Sequence, residues 1–106
     1  MIRIITIPAD ENQPITVTTS KADLDALQAA VGGDIQAVGP EDITIYLDEE
    51  GKLKGRPLNP RATDLAHSIK AISARDAIVG DAVITGFDDE TGENADAPLS
   101  VLEHLS

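Results

Sequence analysis

The sequence predicts an α+β fold: a single small domain over 1–106, with a sheet of about five strands, antiparallel or mixed, and two main helices packed on one of its faces. Three observations carry this. The 106 residues are 42% apolar, enough for one modest core. With one Tyr and one Phe, that core has to be made of Ile, Val, Leu and Ala, and the many β-branched residues favour strands. Short runs of two-residue apolar period alternate with two segments of helical period, each with its own start signal.

Residues 2–7 read as an inner strand, because Ile2, Ile4, Ile5 and Ile7 put apolar groups on both faces. Pro8 ends it. Ile15 and Val17 then alternate with Thr16 and Thr18, a half-exposed strand that closes a hairpin. A helix is predicted over 21–31, with Ser20 as N-cap and Asp23 completing a capping-box variant. Leu24, Leu27 and Val31 form its apolar face, with Ala30 beside them, and Gly32-Gly33 stops it. Short strands follow at 35–38 and 43–47, separated by a Gly39-Pro40 turn. Asp48 to Gly51 reads as a tight turn with Gly51 at positive φ, after which Leu53 and Leu58 return to the core. Asn59 caps a second helix over 61–70, and Pro60 suits its first position. Its apolar face is Ala62, Leu65, Ala66 and Ile69; Asp64 and His67 point away. Residues 71–77 look irregular. Ile78-Val79 and 82–87 read as a strand or strand pair interrupted at Gly80-Asp81, 88–96 as an acidic loop, and 98–105 as a short helix docking Leu99, Leu102 and Leu105. Ile4, Leu27, Ile45 and Leu65 are expected to share one core.

Composition excludes several functions. There is no cysteine, hence no disulfide framework and no thiolate metal site. No run approaches the length of a membrane helix. The first residues lack the long apolar core and cleavage site of a signal peptide, so a cytosolic location is expected. His67 and His104 sit in no nucleophile motif, and no catalytic residue is expected. The acidic run 88–93 lacks EF-hand spacing, so no metal is expected either. Gly32-Gly33 and Gly51/Gly55 fit neither phosphate-binding glycine pattern, and no cofactor is expected.

Charge is the most informative feature. The net charge is −11. Yet residues 52–75 hold Lys52, Lys54, Arg56, Arg61, Lys70 and Arg75 against one acid, Asp64, so this segment is +5 and the remainder −16. Lys52, Lys54, Arg56, Asn59 and Arg61 are therefore the candidate binding residues, for an anion or an acidic protein surface. The competing reading is that these bases pair with acids of the same fold, such as Glu49, Glu50 or the 88–93 run. Direct nucleic-acid binding is disfavoured, because two aromatic residues cannot build a stacking platform and the remainder repels phosphate.

The spans LQAAVGGDIQAV (27–38), YLDEEGKLKGRPLNPRAT (46–63) and DAIVGDAVITGFDDETGE (76–93) resemble, in order and spacing, the phage and actinobacterial family called domain of unknown function 3846. The resemblance covers about residues 24–93. Its most specific part is Glu50-Gly51-Lys52-Leu53, Gly55-x-Pro57-x-Asn59 and Arg61-Ala62-Thr63. It departs at Asp48, where the family pattern has Asn before the EEGKL run. The resemblance implies a phage or mobile-element accessory protein in the cytoplasm of a bacterial or phage-infected cell, and brings no catalytic residue. The expected function is thus non-enzymatic binding of a host protein through the basic loop 52–61. The alternative is a nucleic-acid-related role, by phosphate binding at the basic segment or by DNA mimicry and antirestriction at the acidic surface.

Overall fold

The computed structural model describes residues 1–40 and 42–105. Six strands form one antiparallel sheet: β1 (Ile2–Ile7), β2 (Thr16–Ser20), β3 (Ile35–Val38), β4 (Ile43–Asp48), β5 (Ala82–Asp88) and β6 (Glu93–Ala95). The order is β2-β1-β5-β4-β3, with β6 also on β5. The α+β class is therefore as the sequence predicts, with two main helices, α1 (Leu24–Val31) and α2 (Pro60–Ser68). A 3-10 helix, Leu99–His104, stands where a short helix was expected. Among the described residues no helix is long and apolar enough to cross a membrane.

The helices do not share a face of the sheet. Ile4 and Val83 pack with Leu27 and Val31 of α1, whereas Ile5, Ile7, Ile45 and Ile84 pack with Ala62, Leu65 and Ala66 of α2. Side chains alternate along a strand, so neighbours such as Ile4 and Ile5 must bury on opposite sides. The expected single core of Ile4, Leu27, Ile45 and Leu65 is two cores, one under each helix. The apolar run of β1 signals this, since an inner strand with isoleucines on both faces needs cover on both.

Boundaries shift where tertiary pairing competes with local signals. Ser20 is not the cap of α1: it pairs with Ile2 in the sheet, and its hydroxyl accepts from the Ala22 amide. Asp23 caps instead, accepting from the Ala26 amide at 2.9 Å, so the helix starts at Leu24 and not at 21. Leu24 consequently faces solvent, 57% exposed. Gly32 ends α1 at φ 83, its amide reaching the Gln28 carbonyl, as the sequence indicates. The acidic loop expected over 88–96 is a hairpin: Asp88 and Glu93 pair across a short turn and β6 follows. In the C-terminal segment Val101 is buried, while Leu99 stays in solvent.

Candidate functional site

The segment from Asp48 to Thr63 is held by its own charges. β4 ends at Asp48, whose side chain lies on the α1 side of the sheet with no exposed surface. Its carboxylate accepts from the Glu50 amide at 2.9 Å, Lys54 Nζ at 3.0 Å and Arg56 Nε at 2.7 Å. Burial alone would raise the Asp48 pKa, but the Lys54, Glu50 and Arg56 hydrogen bonds outweigh it and lower the value to about 2. Backbone bonds complete the coil of the chain, from Gly51 to Asp48, Lys54 to Glu50 and Arg56 to Gly51.

Arg56 also donates Nη2 to the Gly32 carbonyl at 2.8 Å, placing a cation at the C-terminus of α1, where the helix dipole favours it. Its stem lies against Gly80, where a Cβ would come within 2.9 Å of Arg56 Cδ. Two glycines distant in sequence thus make room for this one side chain. Gly51 does not take the expected positive φ; Gly55 does, at φ 68. Gly51 is needed for space, since a Cβ there would sit 3.1 Å from Val79 Cγ2 and 3.2 Å from the Asp48 carbonyl.

The remaining candidates divide into two groups. Lys52 pairs with Asp76 at 2.5 Å across the loop surface, and this hydrogen bond lowers the Asp76 pKa. Lys52, Lys54 and Arg56 are therefore gathered at one end of the sheet. Their acidic partners are Asp48 and Asp76, and neither Glu49, Glu50 nor the 88–93 hairpin supplies one. Arg61 is held elsewhere, donating Nη2 to the Pro8 and Asp10 carbonyls at 2.7 and 3.1 Å, while among the described residues its Nε has no partner. Asn59 is wholly buried. Its Oδ1 caps α2 at the Ala62 amide, and its Nδ2 donates to the Ile7 and Gly80 carbonyls, both at 2.9 Å.

Leu53 and Leu58 do not return to the core. Leu53 is 87% exposed between Lys52 and Lys54, and Leu58, 54% exposed, touches the body through a β-bridge to Val79. Beside the loop, on the α2 side of the sheet, lies a cleft of about 150 Å³ lined by Val38, Leu47, Leu53, Ile72 and Val79, with Lys52 and Asp76 at its polar side. The sequence gives little sign of Asp76 and Ile72, because the irregular segment that carries them has no periodicity. Among the described residues no group of three or more His, Cys, Asp or Glu is placed to hold a metal ion.

No curated protein and no solved structure matches the chain. A family model does, that of the domain of unknown function DUF3846, and because the match runs over residues 2–105, nearly the whole chain, the protein belongs to that family.

Proposed function

We propose that this chain is a non-enzymatic accessory protein of phage or mobile-element type that binds a host protein, with loop residues 52–58 as the contact. The observation that carries the reading is Leu53, a large apolar side chain 87% exposed at the tip of a loop that two carboxylates hold in place. Burying such a side chain on a partner is worth about 2 kcal/mol. A loop already ordered by the Asp48 and Asp76 pairs loses little entropy on binding. Lys52 and Lys54 flank the leucine and keep exposed surface, which favours an acidic rim on the partner and speeds encounter. Because Lys52, Lys54 and Arg56 each already hold a carboxylate, phosphate is a poorer fit than protein. Asn59 and Arg61 lie outside this contact, Asn59 as the cap of α2 and Arg61 bound to the Pro8 and Asp10 carbonyls.

The test is Leu53→Asp, an exposed change expected to leave stability within about 0.5 kcal/mol. Capture of the wild-type partner from host-cell lysate should be lost. A folded variant that retains every wild-type partner removes the loop from consideration.

A further inference from the structure

On the α1 side of the sheet, where the chain leaves β2 for α1, lies a second recess of about 410 Å³. It shares no residue with the basic loop. Tyr46 and Phe87, the chain's two aromatic residues, both line it, with Ile2 and Ala22 as further apolar walls. Besides the Tyr46 hydroxyl, three polar side chains line it. Asn94 accepts through Oδ1 from the Tyr46 hydroxyl at 2.7 Å and the buried Thr85 hydroxyl at 3.3 Å, which fixes the carboxamide; among the described residues neither Nδ2 proton meets a protein acceptor. Lys21 and Glu93 stand at the same recess, and among the described residues neither forms an ion pair. Ala22, between Lys21 and the helix cap, is held at φ 50, unfavourable for a residue with a Cβ, and such strain concentrates at ligand sites.

We infer that this recess binds a small zwitterion with an apolar side chain, of the α-amino acid class. A purely anionic ligand would leave Glu93 opposed to it, and a purely cationic one would leave Lys21 so. An amino acid satisfies both, its carboxylate toward Lys21 and the free Asn94 N–H groups, its ammonium toward Glu93, and its side chain on the rings of Tyr46 and Phe87. The size suits such a ligand, since small-molecule pockets begin at about 300 Å³.

The chain has one Tyr and no Trp, so tyrosine fluorescence reports on Tyr46 alone. L-leucine, N-acetyl-L-leucine and L-leucinamide are titrated into the full chain at millimolar concentration. Leucine should change the signal saturably and bind more tightly than either derivative. Lys21→Gln should weaken leucine and N-acetyl-leucine by about three- to fivefold, the effect of one exposed charge contact, and leave leucinamide unchanged. Glu93→Gln should do the converse. Phe87→Ala should weaken all three. Both charged residues are exposed, so these variants are expected to fold, and melting temperature checks it. Absence of a saturable change with leucine, a response to Lys21→Gln or Glu93→Gln that is the same for all three probes, or no effect of Phe87→Ala overturns the assignment.

Discussion

At Asp48 a carboxylate without exposed surface binds two cations and an amide, and the loop depends on it. Its folded pKa, about 2, lies below the ordinary 3.8. The corresponding stability is fully present above the unfolded value and is lost as pH falls from about 4 through about 2. It amounts to about 2 kcal/mol or somewhat less, since Lys54 is partly screened by solvent. Asp48→Asn should therefore lower stability at neutral pH by about 2 kcal/mol and flatten the acid limb of a stability–pH curve measured by urea denaturation. An unchanged acid limb would show that Asp48 does not govern it. Lys52→Ala removes an exposed pair and should cost no more than about 1 kcal/mol.

Among the elements, α2 depends most on a single residue. Asn59→Ala removes the helix cap and leaves the Ile7 and Gly80 carbonyls without their buried donor. A loss of about 2–4 kcal/mol is expected in denaturant titration. For α1 the cap is Asp23, so Asp23→Ala should cost about 1 kcal/mol. Along the same helix Leu24→Ala should be nearly neutral, and Leu27→Ala should cost about 2–5 kcal/mol, because only the second is buried. Comparable losses at both leucines would contradict the placement of α1.

For the molecule as a whole, the sheet separates two cores. Leu27→Ala and Leu65→Ala each remove a buried side chain, but on opposite faces. Their effects should add to within about 0.5 kcal/mol in the double variant, as for sites that share no packing partner. A larger deviation would mean that the faces communicate through the strands. The same division keeps the two candidate surfaces apart, loop 52–58 at one end of the sheet and the aromatic recess on the α1 side. Leu53→Asp should accordingly leave the leucine titration unchanged.

What the sequence by itself determined is local. Isoleucines on both faces of 2–7 specify an inner strand, Asn59-Pro60 a helix start, Gly32 a helix stop and 71–77 an irregular segment, because each depends on side-chain period or on backbone geometry within a few residues. The resemblance to the family was also legible in the sequence, and the family model matches residues 2–105. What only the tertiary structure decided is which distant groups meet. That Asp48 and Asp76 take the bases, that Gly32 and Gly80 make room for Arg56, and that Leu53 stands in solvent depend on the crossing of β4, α1 and the 71–80 segment. The expectation that both helices pack on one face failed for the same reason. Periodicity states that a face is apolar, and only the path of the chain decides which apolar face it meets.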